Sequence, residues 1–349
     1  MKKMLALLLA LVMVLSLAAC ASSQPAAAST ETAETTETTE TTEPAAEESA
    51  EAPAESGKTY TVGVCQLVQH EALDAATQGF IDALKEELGD AVTVDVQNAS
   101  GDSVNCGTIV NGFVSKGVDL IMANATPALT AAVSATADIP ILGTSITAYG
   151  VALDIDDFNG TVGGNVSGTS DLADLQAQAQ MILDWFPETK TVGLLFCSAE
   201  PNSRYQIDEV RKALEAQGVT CEEFAFTDSN DVSSVTQKAA DFSDVVYIPT
   251  DNTAASNTEA IANVLIPAGV PAICGEEGLC RGCGVATLSI SYYDLGVTTG
   301  KMAAKILTGE ADISEMPIEY FQNPVKKYAA ERCAALGIEI PSDYVAIEG

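Results

Sequence analysis

The sequence predicts an α/β protein of two Rossmann-like lobes, each built on a parallel sheet. Strand-like and helix-like stretches alternate from Tyr60 onward, and this alternation is typical of parallel sheets covered by helices on both faces. It breaks between residues 151 and 170, in a run rich in Gly, Asn and Asp, and then starts again. We therefore expect two lobes of similar size in series, with the chain crossing between them at this break.

The first lobe is expected to contain four strands with helices between them. Apolar and β-branched runs predict strands at 60–67, 92–98, 120–123 and 139–142. Apolar residues spaced three or four apart predict helices over 73–88 and around 109–114, and a further helix after Thr126.

The second lobe repeats the pattern. The periodicity predicts helices at 172–186, 205–217, 232–240 and 254–266, and strands at 191–196, 221–226, 245–248, 272–274 and 285–289. We expect the helix at 293–307 to return to the first lobe, residues 318–326 to cross back, and the helix at 328–336 to pack on the second. The first lobe is then 58–166 plus 291–318, and the second is 167–290 plus 319–349.

The N-terminus predicts a lipoprotein signal peptide at 1–19. Lys2 and Lys3 precede an apolar run that is short for a membrane span and ends in Leu-Ala-Ala-Cys. The small residues suit a lipoprotein peptidase, and Cys20 would carry the lipid; the alternative is an ordinary signal peptide with a chance cysteine. Residues 20–57 are rich in Ala, Thr and Glu without aromatics, which predicts a disordered tether.

Composition excludes several functions. A net charge of −33 argues against binding nucleic acid. His70 is the only histidine, which excludes a metal site of several histidines and every Ser-His-Asp triad that does not use it. No G-x-S-x-G elbow is present. We expect no enzyme, no metal and no cofactor, and we expect His70 to order its loop or stack near a ligand.

Ligands of open parallel sheets lie beyond the carboxyl ends of the strands. Two facing lobes therefore form a cleft lined by strand-end loops. In the first lobe, Thr126 is expected to cap a helix that has Pro127 in its first turn. Free amides near Ala128 would then bind a carboxylate, with hydroxyls of Thr144 and Ser145 at the same edge.

An amino acid ligand also needs an acceptor for its ammonium group. Asp251 directly follows an apolar strand and is the best-placed acid, with helix capping as the alternative role. The other polar candidates in the cleft loops are Gln69, Glu200, Asn202, Ser203, Thr250, Asn252 and Glu276. Leu67, Val68 and Tyr149 are candidates for enclosing an apolar side chain.

Five segments occur together and in order: QLVQHEALDA, FVSKGVDLIMANATPA, GGNVSGTSD, VYIPTDNT and YYDLGVTTGKMAAKIL. Together they resemble the substrate-binding lipoproteins of ABC importers, in particular the TrpX-type family associated with tryptophan and other aromatic amino acids. The resemblance spans 59–349. It implies a type I periplasmic-binding-protein fold with three crossings and a closing hinge. It also implies delivery of the ligand to a permease and its ATPase. We expect a monomer that Cys20 anchors by lipid to the outer face of the cytoplasmic membrane.

Two alternatives stay open. The same fold could bind a nucleoside or sugar, which would not need charged partners in opposite lobes. Cys280-x-x-Cys283 could instead be the centre of a surface thiol oxidoreductase. A second C-x-x-C is absent, and we favour a local disulfide or two free thiols. The loop at 275–279 departs from the family pattern, so its contacts are the least defined.

Overall fold

The computed structural model describes residues 57–321 and 323–348. The predicted signal peptide, the lipidation residue Cys20 and the tether up to residue 56 lie outside this described part. None of the described helices is long and apolar enough to cross a membrane.

The first sheet has six strands, in the order β11-β5-β4-β3-β1-β2, and its neighbouring strands are parallel. Its elements up to the first crossing are β1 (Tyr60–Gln66), α1 (Glu71–Leu88), β2 (Val92–Asn98), α2 (Ser103–Lys116), β3 (Leu120–Asn124), α3 (Thr126–Ala135), β4 (Ile141–Ile146), α4 (Tyr149–Ala152) and β5 (Val166–Ser170).

The second sheet has seven strands, in the order β13-β12-β10-β9-β8-β6-β7, with β12 antiparallel to β10. The remaining elements are α5 (Leu175–Trp185), β6 (Thr191–Cys197), α6 (Pro201–Glu215), β7 (Thr220–Phe226), α7 (Val232–Phe242), β8 (Val245–Ile248), α8 (Asn252–Ala255), α9 (Thr258–Ala268), β9 (Ala272–Cys274), α10 (Glu277–Cys283), β10 (Ala286–Ser289), α11 (Tyr292–Thr308), β11 (Glu319–Tyr320), β12 (Val325–Tyr328), α12 (Ala330–Leu336) and β13 (Val345–Ala346).

The predicted fold class is confirmed: both sheets have helices on both faces, and the chain passes three times between them. Each sheet separates two apolar clusters, which explains why the central strands are buried along their whole length. The lobe limits follow the sheets rather than the predicted positions. All of β5 belongs to the first sheet, so the limit predicted after residue 166 falls inside a strand. β11 also pairs in the first sheet, beyond the limit predicted after 318.

Two local predictions were wrong. β4 runs to Ile146 rather than ending at 142, so Thr144 and Ser145 lie within a strand. The pairing of β4 with β5 shifts at this point, and Ser145 has a φ of 56°, which marks a bulge that redirects its side chain. Thr126 is the first residue of α3 rather than its cap. Ala125 occupies the cap position with a φ of 89°.

Helices α1 and α11 pack with their backbones in contact, because glycine lies at the points of closest approach. A Cβ atom on Gly79 would lie 2.1 Å from the Tyr293 carbonyl oxygen, and one on Gly296 would lie 2.0 Å from that of Ala76. No other residue leaves space for such an approach. The helix that follows the second crossing is thus fixed to the first helix of the first lobe.

Candidate functional site

A small cavity lies between the carboxyl ends of the two sheets. Both lobes and the crossings contribute to its wall, as expected for a ligand site at the edges of two parallel sheets. The lining residues are His70, Leu73, Ser145, Thr147, Asp171, Asn202, Thr250, Asp251, Asn252, Ala255, Glu276 and Tyr292.

Side chains of the two lobes meet across the cleft. His70 Nε2 lies 3.2 Å from Asn252 Oδ1, and the hydroxyl oxygens of Thr147 and Thr250 are 3.5 Å apart. The described conformation is therefore the closed one, in which residues far apart in the chain form one wall.

Four polar atoms of the lining are buried without a hydrogen-bond partner among the described residues. They are His70 Nδ1, Ser145 Oγ, Asp171 Oδ1 and Asn202 Oδ1. A buried polar group left unpaired costs about 1–3 kcal/mol. A polar ligand bound in this cavity could therefore form hydrogen bonds with them.

Asp171 is a cavity residue that the sequence prediction missed. It follows β5 directly, at the first crossing, and its Oδ2 accepts a hydrogen bond of 2.9 Å from the Tyr292 hydroxyl. Burial raises its pKa above the usual value for aspartate, against smaller opposing effects of the Tyr292 and Thr147 hydroxyls. The sequence signal was the Ser170-Asp171 pair closing the Gly-rich segment, an acid directly after β5 and so at the strand-end edge. With one oxygen unpaired, Asp171 can receive a cation.

Asp251, the predicted ammonium partner, is instead engaged on both oxygens. Oδ1 accepts the Ala254 amide at 2.8 Å, and Oδ2 accepts the Cys197 amide at 2.6 Å and the Ser203 hydroxyl at 2.8 Å. It caps α8, the alternative considered from the sequence. Burial raises its pKa to about 8. Asp251 and Ser203 therefore stabilise the second lobe at the cavity floor.

Two other predicted acids also hold helix starts. Glu276 caps α10 by accepting the amides of Gly278 and Leu279, and burial raises its pKa to about 7. Glu200 accepts the amides of Asn252 and Thr253 at 3.0 and 2.9 Å, and also both of their side-chain donors. Their oxygens are used within the second lobe.

Only some of the first-lobe residues predicted to bind a carboxylate line the cavity. Ser145 lines the cavity, whereas Thr144 bonds to Thr169 at 3.1 Å inside the sheet. The Ala128 amide donates to the Ala125 carbonyl at 3.0 Å, so it is not free. Pro127 lies in a groove at the cleft mouth. Thr126 is buried, and its hydroxyl has no partner within the described chain.

The remaining predicted residues differ in their surroundings. Gln69 is exposed and does not line the cavity. The Thr250 hydroxyl accepts from Gln206 Nε2 at 2.6 Å and lies 3.5 Å from the Thr147 hydroxyl. Asn202 donates through Nδ2 to Glu200 and to the Thr250 carbonyl, so its Oδ1 is the atom left unpaired.

A groove opens from each side of the cavity. One continues past Asn252 and includes Leu67 and Val68, and the other continues past Thr147. The second has an aromatic wall, formed by Tyr149, Phe158, Tyr205 and Tyr320. The predicted apolar enclosure residues thus lie beside the closed cavity rather than in it.

The Cys280-x-x-Cys283 pair lies within α10, and both thiols are free and buried. Cys283 Sγ donates to the Leu279 carbonyl at 3.3 Å, and burial raises the pKa of Cys280. A reactive redox pair needs an accessible thiol of lowered pKa. The geometry therefore gives the oxidoreductase alternative no support.

Comparison with known proteins identifies relatives over most of the chain. The family model described as "ABC transporter substrate binding protein" matches residues 61–344. A tyrosine-binding protein of Clostridioides difficile (strain R20291) is 32% identical over 270 residues, which cover 76% of this chain and 77% of the relative.

Two solved structures are also similar. An ABC domain from Streptococcus pneumoniae in complex with L-Trp has a TM-score of 0.78 and 32% identity, over 81% of this chain and 96% of that one. A substrate-binding protein with adhesive properties from Clostridium difficile, in its ligand-free, open form, has a TM-score of 0.63 and 33% identity. The match covers 83% of this chain and 100% of that one. At nearly equal identity, the closed lobes of this chain superpose better on the ligand-bound structure.

Proposed function

Because this chain belongs to the family of ABC transporter substrate-binding proteins, we propose that it captures an aromatic amino acid between its lobes and delivers it to a membrane permease. The observation that carries the proposal is Asp171 Oδ1. This carboxylate oxygen is buried at a closed inter-lobe cavity without a partner among the described residues.

The ligand's ammonium group pairs with Asp171. Among the cavity acids, Asp251 and Glu276 already accept hydrogen bonds on both oxygens, whereas Asp171 has one oxygen free. A charged donor facing a carboxylate forms the stronger class of hydrogen bond. Tyr292 holds the other oxygen and so fixes the orientation of the carboxyl group.

The ligand's carboxylate is received in the first lobe. Ser145 Oγ is the unpaired hydroxyl of the cavity wall, and the buried Thr126 hydroxyl is near the same strand edge, at the start of α3. A hydroxyl can donate to a carboxylate, and the start of a helix favours negative charge.

An aromatic side chain is proposed from the relatives, one bound to L-Trp and one named for tyrosine. The walls support it, because Leu73, Ala255 and Tyr292 give the cavity apolar surface and the flanking grooves add more. We propose in addition that Cys20 is lipidated and that the tether holds the protein at the outer face of the cytoplasmic membrane.

Isothermal titration calorimetry with L-Trp, L-Tyr and L-Phe tests the ligand class. Tryptamine and indole-3-propionate, which lack the carboxylate and the amine respectively, should bind at least about tenfold more weakly than L-Trp. Binding of sugars or nucleosides in place of all amino acids would overturn the proposal.

The Asp171→Asn variant tests the ammonium partner. It removes the charge but keeps the shape, and we expect affinity for L-amino acids to fall by at least about tenfold. Asp138→Asn, at an exposed position, is the matched control and should bind as wild type does. Equal affinity of wild type and Asp171→Asn would remove Asp171 from the site.

A further inference from the structure

His70 and Asn252 join the two lobes through one hydrogen bond at the cavity wall. His70 precedes α1 in the first lobe, and Asn252 opens α8 in the second. Their side chains are 3.2 Å apart, between His70 Nε2 and Asn252 Oδ1. His70 is half-buried and lines the cavity, and its second nitrogen, Nδ1, is buried without a partner in the described structure.

The orientation of Asn252 determines which nitrogen of His70 carries the proton. Asn252 Nδ2 donates to Glu200 Oε2 at 2.7 Å, and its backbone amide donates to the same atom at 3.0 Å. The amide oxygen of Asn252 therefore faces His70 and accepts. Because Nε2 must donate to it, a neutral ring has its lone pair on Nδ1.

The ring is neutral at pH 7. Burial lowers the pKa of His70 below its ordinary value, against smaller opposing effects of Asn252, Glu200 and Asp74. His70 Nδ1 is thus an acceptor at the cavity, and a ligand satisfies it only with an N–H or O–H group.

Asn202 supplies a second neutral acceptor in the same hydrogen-bonded chain. Its Nδ2 donates to Glu200 at 3.2 Å, so a continuous series of contacts links His70, Asn252, Glu200 and Asn202. Asp171 is outside this chain and is held by Tyr292 at the crossings. Since a carboxylate attracts an ammonium more strongly than neutral acceptors do, the neutral pair remains for a neutral donor elsewhere on the ligand.

We infer that this site selects amino acids whose aromatic ring carries a neutral hydrogen-bond donor, an indole N–H or a phenol O–H, and that His70 Nδ1 accepts from it. The inference rests on the proposed function and narrows its ligand class, because phenylalanine has no such donor. It also assigns a role to the His70–Asn252 contact. Closure of the lobes fixes the tautomer of His70 in which Nδ1 can accept a hydrogen bond from the ligand's ring.

Calorimetry on the mature protein with matched pairs tests the selection. L-Trp is compared with 1-methyl-L-Trp, and L-Tyr with L-Phe, so that each pair differs mainly in the ring donor. We expect the donor-free member to bind roughly tenfold more weakly or worse, since it leaves a buried acceptor unpaired. Equal affinities within both pairs would overturn the inference and leave the proposed function standing. No binding by any of the four would instead refute the proposed function.

Two substitutions at His70 distinguish the role of Nδ1 from that of Nε2. His70→Gln places its amide near the position of Nε2 and can keep the contact with Asn252, but it removes the acceptor at Nδ1. His70→Asn places its amide near Nδ1 and keeps an acceptor there. We expect His70→Gln to lose the preference for L-Tyr over L-Phe and His70→Asn to keep it. The reverse pattern, or an undiminished preference in His70→Gln, would show that Nδ1 does not read the ring.

Discussion

Glu71 Oε1 of the first lobe lies 3.0 Å from the guanidinium of Arg281 in the second, outside the cavity. Arg281 also contacts Glu277 and donates to the Glu348 carbonyl, so it is held in place from its own lobe. The pair forms only when the lobes approach, and it therefore contributes to the closed state alone.

Glu71→Gln should remove this ion pair between the lobes, called the latch below, and leave the fold intact. The pair is partly exposed, and such pairs contribute about 0–1 kcal/mol. We expect ligand dissociation, measured by stopped-flow fluorescence, to become up to about fivefold faster. Asp95→Asn, which removes a pair within the first lobe, is the control and should not change the rate. Raising the salt concentration should reduce the difference. A rate that is unchanged at low salt would contradict the latch.

The raised pKa of Glu276 predicts that its contribution to the stability of the fold falls as pH rises. Burial, with Glu71 and Glu277 nearby, raises its folded-state pKa to about 7, above the ordinary 4.5. The folded protein then binds the proton more tightly, so the stabilisation is fully present below pH 4.5 and is lost as pH rises through 7.

Glu276→Gln should flatten this dependence by up to about 1.4 kcal/mol per pH unit. The measurement is urea unfolding of ligand-free protein between pH 5 and 7.5, compared by slope. Glu310→Gln, at an exposed site, should keep the wild-type slope. If the free energy of unfolding has the same dependence on pH in wild type and Glu276→Gln, the Glu276 carboxyl does not titrate between pH 5 and 7.5.

Asp251→Ala should lower the stability of the fold rather than remove a contact with the ligand. It removes the cap of α8 and leaves the Cys197 amide and Ser203 hydroxyl unpaired in the interior. We expect the free energy of unfolding to fall by about 2–4 kcal/mol. Chemical denaturation measures it, with Asp138→Ala as control. A variant of wild-type stability that no longer binds amino acids would restore Asp251 as the ammonium partner.

Gly296→Ala should destabilise the first lobe. Its Cβ would lie 2.0 Å from the Ala76 carbonyl oxygen, and relief requires α1 and α11 to separate. We expect a loss of at least ~2 kcal/mol by calorimetric unfolding. Gly107→Ala, in α2 with open space around the new Cβ, should instead stabilise by about 0.5–1 kcal/mol. Equal effects of the two substitutions would contradict the close packing.

The sequence was sufficient for the fold but not for the site. Strand and helix periodicity depends on local burial, and it placed the loops of Asn202, Thr250 and Asn252 at the cleft. It could not distinguish Asp251 from Asp171, because both follow strands. Only tertiary contacts show that Ser203 and two amides occupy the first, whereas Tyr292 leaves the second with a free oxygen. The bulge at Ser145 was equally hidden, since it depends on pairing with β5.

Because Gly79 and Gly296 bring the backbones of α1 and α11 into contact, these helices cannot slide along each other. The first begins directly after His70, and the second begins directly after the second crossing. A bend at that crossing must therefore turn both helices by the same angle and carry His70 with them. His70, at the cavity, and the start of α11, at the crossing, therefore belong to one rigid unit.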